Sequence, residues 1–380
     1  MIWEKVKLED LCVSITDGDH QSLPLSEKGI PFIVIADINR INRIEFDKAR
    51  YVPVDYYKNL DKKRKPQKGD VLLTVKGSFG IPVYVDTDNP FVFQRDIAIM
   101  KCNEKINSMF LFYYMKTREF YLYADAVAIG AAQRAITLKT LKNTVITLPS
   151  LVYQNRIAEL LVPYDKLIEN NQKQIKLLEE AAQRLYKEWF VDLHFPGYED
   201  VEVVYGVPEG WRKANLPEIA PIVTGKKDAN FGTVNGKYLF FTCAQEPIKA
   251  PSYSFDCNAV ILAGNGDFNV KLYRGQFEAY QRTYVFSPYN SKRLYLLYYA
   301  VKESMRQLFQ GASGSTIKFL TKRMLEEILV FVPDKEVLDL FNQNCELFQS
   351  KIEALKAQIT LAQEARDRLL PKLMSGEIEV

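Results

Sequence analysis

Glu179–Phe190 reads EEAAQRLYKEWF and Gln363–Met374 reads QEARDRLLPKLM. Displaced by 184 residues, Glu180 meets Glu364, Ala181 meets Ala365, Arg184 meets Arg368 and Leu185 meets Leu369. The correspondence reaches well beyond these stretches. Ile157, Leu161, Tyr164, Ile168, Asn171, Ile175, Leu178, Ala182, Leu185 and Trp189 recur at steps of four and three, a heptad seam with one polar member, Asn171. The same displacement gives Phe341, Cys345, Phe348, Ile352, Leu355, Ile359, Ala362, Arg366, Leu369 and Leu373, with Arg366 as the polar member. Ser150 after Pro149 and Asp334 after Pro333 are N-cap candidates at that offset. Pro163 should kink the first helix or split off its first turns, and the second helix is expected to run without such an interruption. A long helix with an apolar seam, written twice, calls for a coiled coil.

The rest of the chain repeats as well. Pro196 and Gly197 end the first helix and open a linker. VPEGWRKANLPEIA then echoes IWEKVKLEDLC, with Trp211 against Trp3, and FEAYQRTYVF answers FVFQRDIAIM, with Gln281-Arg282 facing Gln94-Arg95. The offset falls from 208 at the tryptophans to 187 at this pair, so the second block is expected to be about 21 residues shorter near its start. Short runs rich in Val, Ile, Tyr and Phe read as strands; SMFLFYYMKTREFYLYA and SKRLYLLYYAVKESMRQLF read as matching helices. The fold class is α+β, twice: residues 1–149 a first globular block, 150–192 a helical spacer, 193–333 a linker and second block, 334–380 a second helical spacer. Paired antiparallel within one chain, the helices would give the halves an internal pseudo-two-fold axis. A spacer of 27 residues from Tyr164 to Phe190 would be about 40 Å long, comparable with the roughly 34 Å turn of duplex DNA.

Charge follows the same period. The formal net charge is +3, but residues 1–150 hold 22 Lys+Arg against 18 Asp+Glu, and 201–334 hold 16 against 12. Residues 151–200 hold 6 against 9, and 335–380 hold 6 against 8. Two mildly basic blocks alternate with two acidic helices, which suits a polyanionic partner.

Catalytic signatures are sparse. No G-x-x-x-x-G-K-[ST] loop, G-x-S-x-G elbow or C-x-x-C pair occurs, and His20 and His194 are the only imidazoles. DNPF (Asp88–Phe91) approaches the N-P-P-[FY] loop of amino-methyltransferases but lacks the second proline, and it reads as a turn between strands. GNGDF (Gly264–Phe268) likewise reads as a tight turn. Five scattered cysteines, a charged N-terminal stretch and an apolar run no longer than Leu294–Val301 suit a reduced, metal-free cytoplasmic protein.

Several segments resemble the specificity subunit of type I restriction–modification systems. ITDGDHQSLPLSEKGIPFIVIADI resembles the opening of that family's target-recognition domain, GDVLLTVKGSFG its central turn, and QRAITLKTLKNTVITLPS with the helix that follows the entry to its first conserved helix. VPEGWRKANLPEI resembles the start of its second recognition domain and RLLPKLMSGEIEV its usual C-terminus. The resemblance implies a non-catalytic DNA-binding subunit. Each recognition domain would read one half of a split, asymmetric target on double-stranded DNA. The helices would set the unread gap and dock two methyltransferase subunits; restriction/translocase subunits would complete the complex. No cofactor is expected on this chain, because S-adenosylmethionine, ATP and Mg would belong to those partners.

Base reading needs paired donors and acceptors on turns, and phosphate contacts need Lys, Arg, Ser or backbone amides. The candidates in the first block are Asp17, His20, Gln21, Lys76, Ser78, Gln94, Arg95, Gln133 and Arg134. In the second they are Lys226, Lys227, Asn230, Asn265, Asp267, Gln281, Arg282, Ser313, Ser315 and Lys318. The basic run Lys62–Lys65 reads as a solvated loop or a phosphate contact, and Asn171 as a register-fixing seam residue. Two other readings fit the duplicated heptads: a DNA-binding architectural or anti-restriction protein of the same fold that recruits no enzyme, and a coiled-coil scaffold whose blocks bind proteins.

Overall fold

The computed structural model describes residues 3–19, 23–39, 41–130, 134–312, 314 and 318–380. The chain separates into two compact units, Met1–Glu169 with Gln358–Val380, and Asn170–Ala357. Each holds one globular block and a stretch of each long helix. Among the described residues no helix is long and apolar enough to cross a membrane.

The strands of the first unit are β1 (Glu4–Lys7), β2 (Cys12–Asp17), β3 (Ile30–Ile33), β4 (Arg50–Val52), β5 (Val71–Thr74), β6 (Pro82–Tyr84), β7 (Val92–Phe93), β8 (Ile97–Cys102) and β9 (Val145–Leu148). Its helices are α1 (Val54–Asn59), α2 (Ser108–Lys116), α3 (Arg118–Val127), α4 (Leu138–Lys142) and the start of α5 (Leu151–Phe190). Strands pair in the orders β2-β8-β5-β6 and β4-β3-β7, and β1 pairs with β9. VLLT in β5 and IAIM in β8 are apolar at successive positions because both faces of their sheet are covered. Val71, Leu73, Ala98 and Met100 share a core with Phe110 and Leu111 of α2, whereas Leu72, Ile97 and Ile99 pack with Ile33, Phe91 and Phe93.

The second unit adds β10 (Val203–Val204), β11 (Val207–Pro208), β12 (Arg212–Asn215), β13 (Val223–Thr224), β14 (Tyr238–Phe241), β15 (Ile248–Ala250), β16 (Phe255–Ala263), β17 (Val270–Ala279), β18 (Thr283–Phe286) and β19 (Leu329–Val332). Its helices are α6 (Leu216–Ile219), α7 (Leu294–Gly311), α8 (Lys322–Glu326) and part of α9 (Lys335–Met374). Six strands form one sheet, β13-β18-β16-β17-β14-β15. The long β17 takes the place of both β6 and β7: β14 pairs with it in parallel at Phe241↔Ala279, as β3 pairs with β7 at Ile33↔Phe93. DNPF occupies the bend that separates β6 from β7.

Ladder partners fix the correspondence of the blocks and correct three expectations. The turn before β8 closes from the Ile97 amide to the Gln94 carbonyl, and the turn before β18 from Thr283 to Tyr280. Gln94 therefore matches Tyr280 and Arg95 matches Gln281, an offset of 186, so the two Gln-Arg pairs do not superimpose. The shortening is also spread out. Phe32 pairs with Arg50 where Phe240 pairs with Ile248, so the offset drops from 208 to 198 between β3 and β4. Thr74 pairs with Ile97 where Ala263 pairs with Thr283, so it has reached 189 by β5. The missing residues come from the connections carrying Ile41–Arg43, α1 and Lys62–Lys65, which belong to the first unit alone. Finally, SMFLFYYMKTREFYLYA is two helices, because Thr117 ends α2 and caps α3 through its hydroxyl, whereas α7 is continuous.

Every seam residue of both heptad patterns is buried or half-buried. In the first unit the Tyr153 hydroxyl donates to the Ile378 carbonyl (2.8 Å) and Arg366 pairs with Asp165 (2.5 Å), so the helix segments run antiparallel. In the second unit Tyr186, Trp189 and Phe190 surround Phe341 with ring centroids 6.2, 5.9 and 4.8 Å away. Asp334 caps α9 by accepting from the Val337 amide (2.9 Å); Ser150 caps α5 only through its carbonyl, to the Gln154 amide. Pro163 lies exposed within an unbroken α5, and α9 carries its own proline, Pro371, in its last turn.

Candidate nucleic-acid interface

In the first unit three turns and one return segment meet at one end of the sheet. Gly18, just past β2, donates to the Ile97 carbonyl (3.3 Å), Val75 past β5 donates to Asp96 (2.8 Å), and Ile136 donates to Val75 (2.8 Å). Lys76 bridges Ala135, and Asp19 bridges Gln94. Residues scattered over more than a hundred positions of sequence therefore share one rim. A side chain at Gly18 would strike the Phe93 carbonyl at 2.4 Å, so this crossing admits only glycine.

Side chains at this rim fall into two groups. Arg95 projects from its turn into solvent without a polar partner among the described residues, and Ser78 is exposed beside half-buried Lys76. The others brace the rim. Gln94 Nε2 holds Asp96 Oδ2 (2.5 Å). Arg134 pairs with Asp125 and lies over Phe79, which stacks on Tyr121. Asp17 and Asp19 bind Arg64 (3.8 and 3.1 Å), and Asp19 also accepts from the Tyr56 hydroxyl (2.8 Å). Arg64 stands in the basic run Lys62–Lys65, so that run contributes a brace as well as free charge. His20, Gln21 and Gln133 lie outside the described residues.

The second unit repeats the geometry with other side chains. Gly225 donates to the Thr283 carbonyl, Gln281 to Lys227, Gly264 to Arg282, Gly266 to Lys318 and Leu320 to Gly264, at 2.8–3.1 Å. Asn265-Gly266-Asp267 replaces Lys76-Gly77-Ser78, both glycines having positive φ (+69° and +74°). Lys226, Asn230, Gln281 and Arg282 are exposed. Lys227 lies over the Phe231 ring (4.5 Å), Lys318 over Phe309 (4.1 Å), and Asp267 accepts from Gln245 (2.6 Å). Ser313 and Ser315 lie outside the described residues. Gln245, which sequence reasoning passed over, enters the rim from the connection after β14; only the fold brings it there.

The chain matches the model of the type I restriction modification DNA specificity domain twice, over residues 2–180 and 208–360. It belongs to that family. It is 24% identical to the type I restriction enzyme MjaIX specificity subunit of Methanocaldococcus jannaschii over all of this chain and 94% of that protein. It is 34% identical to the EcoDI specificity subunit of Escherichia coli over 45% of this chain and 39% of that protein. The S subunit of a type I restriction–modification system from M. genitalium has the same fold, with a TM-score of 0.59 at 18% identity over 98% of this chain and 96% of that one. Each of the two matched specificity domains holds one of the two rims.

A polar cluster fastens each specificity domain to its helix segments, buried in the first unit and exposed in the second. In the first unit Asp165 accepts from Arg366 (2.5 Å) and from the Tyr113 hydroxyl (2.8 Å), with Lys116 Nζ 3.8 Å away. Burial pulls the Lys116 ammonium down to about 8, against the pull of Asp165, and pushes the Tyr113 phenol up, with Asp165 adding to the rise. In the second unit Glu346 accepts from Arg274 (2.9 Å) and Tyr295 (2.8 Å), which hold its carboxyl below the usual range. Among the described residues no group of three His, Cys, Asp or Glu is placed to hold a metal.

Proposed function

We propose that this chain is the DNA-reading subunit of a type I modification complex, each of its two rims recognising one half of a split, asymmetric target. The observation that carries this reading is a pair of rims with one backbone and different side chains. Lys76, Ser78 and Arg95 stand where Asn265, Asp267 and Gln281 stand in the other unit. Equal scaffolds place equal turns in a groove, and unequal donors and acceptors then select different bases. The long helices set the unread gap and dock two methyltransferase subunits. Exposed Leu167 and Leu361 in one unit, and Leu177 and Leu347 in the other, support such docking. The subunit itself does no chemistry; S-adenosylmethionine, ATP and Mg reside on the methyltransferase and restriction/translocase partners in the cytoplasm.

The test is genome-wide mapping of methylated adenine in the host and in a strain lacking this gene. Loss of methylation at one bipartite motif is the expected result. An unchanged methylome in a host that expresses the partner methyltransferase would overturn the reading in favour of an architectural protein.

A further inference from the structure

The backbone after each long helix folds back in the same way. The Val191 and Ser375 amides donate to Lys187 and Pro371 (both 2.9 Å), and the His194 and Ile378 amides to Glu188 and Lys372 (2.8 and 3.2 Å). Each hook returns beside the matched tryptophan, Trp211 or Trp3. At the next position the halves differ. Phe195 is buried against Trp211, with ring centroids 4.4 Å apart, and the Trp211 N–H donates to Asp334 (3.3 Å). In the first unit the counterpart of Phe195 is Glu379 and that of Asp334 is Ser150. No phenyl ring fills the space, and the Trp3 N–H makes no hydrogen bond to a described residue.

A cavity of about 360 Å³ opens there instead. Trp3, Tyr114 and Tyr153 line it, Trp3 standing edge-on to Tyr153 at 5.9 Å and 68°. Glu119 and Glu379, both exposed and neither in an ion pair with a described residue, share the rest of the lining with Thr147 and the Met374–Gly376 turn. Aromatic rings and unpaired carboxylates around one cavity favour a cation that is flat, weakly hydrated and able to bind two oxygens at once. We propose that this cavity is a binding site for a guanidinium group. A guanidinium stacks on the rings and donates to the two carboxylates. It is carried either by an arginine of a protein partner or by a small guanidine, and the filled counterpart in the second unit binds neither.

The experiment uses the full chain labelled with 5-fluorotryptophan. Its three tryptophans, Trp3, Trp189 and Trp211, give three fluorine resonances, Trp3 assigned through Trp3→Phe. N-acetyl-arginine amide should shift the Trp3 signal saturably and leave Trp211 in place, whereas the neutral N-acetyl-citrulline amide should shift neither. Glu379→Phe, which copies the second unit, should abolish the shift, and Glu379→Gln should weaken binding about two- to fivefold, as expected for an exposed ion pair. Binding by N-acetyl-arginine amide no weaker than methylguanidinium places the group on a polypeptide; the reverse order places it on a small molecule. An unsaturable shift, an equal response to the citrulline compound, or unchanged affinity in Glu379→Gln would overturn the proposal.

Discussion

Asp165 accepts from Arg366 and from the Tyr113 hydroxyl and has Lys116 Nζ 3.8 Å away, so two cations face it. Its removal would leave Lys116 without its carboxylate and Arg366 with Asp367 alone (2.8 Å), so Asp165→Ala should cost about 3 kcal/mol in urea denaturation. Lys116 acts in the opposite sense. Its ammonium titrates near 8 in the folded chain and near 10.5 when unfolded, so the unfolded chain binds more protons between those values. The Lys116 contribution to stability therefore rises with pH across that window, against the fall that buried Tyr113, its phenol pushed up, adds at the upper end. Lys116→Met should remove that contribution, so the stability difference between variant and wild type should change between pH 7 and pH 10 by at most about 3 kcal/mol. Arg366 was legible as a polar seam member, but its partner was not, because Asp165 lies 201 residues away and only the antiparallel pairing joins them. At the rim, Arg95→Ala should leave the melting temperature unchanged. It should weaken binding to all duplexes alike and lower the salt slope by about one if Arg95 holds a phosphate. Loss of discrimination at a single base pair would make it a reader instead.

Elements were read well where their pattern is local. Both long helices announce themselves through the heptad seam, and the strands through apolar runs. Register was not readable, because the partner strand sets it from far away. The recurring Gln-Arg dipeptide suggested one alignment, and the ladder gives another, a residue removed. Two glycines show how such crossings are held. A Cβ at Gly225 would meet the Ala279 carbonyl at 1.9 Å, whereas one at Gly77 would meet nothing and suffer only from its φ of +74°. Gly77→Ala should accordingly cost about 1 kcal/mol. Gly225→Ala should cost several times that and should displace Gln281 and Arg282, visible as amide shifts in that turn. Pro163 offers a converse case. It is exposed and leaves the Glu159 carbonyl without its helical donor, so Pro163→Ala should raise stability by about 1–3 kcal/mol.

For the molecule as a whole, duplication is what the sequence states most clearly, since charge, seam and block order all share one period. Which residues differ between the two rims could not be read until the connections that shrink had been located. With those in hand, replacing residues 1–149 by the corresponding block of another family member should change one half of the methylated motif and leave the other half and the gap intact. A change in both halves would refute independent reading. The paired hooks carry a consequence for chain order. Residues 196–210 join the hook of the second unit to Trp211, while in the first unit Met374, Ile378 and Val380 of the hook pack on the same core as Trp3. A copy of that linker should therefore splice Val380 to Trp3. New ends could then be cut at the β10–β11 hairpin, where Tyr205 is 97% exposed. Such a permuted chain would be synthesised with its second block first and should still find the same fold, because neither core depends on which half left the ribosome earlier.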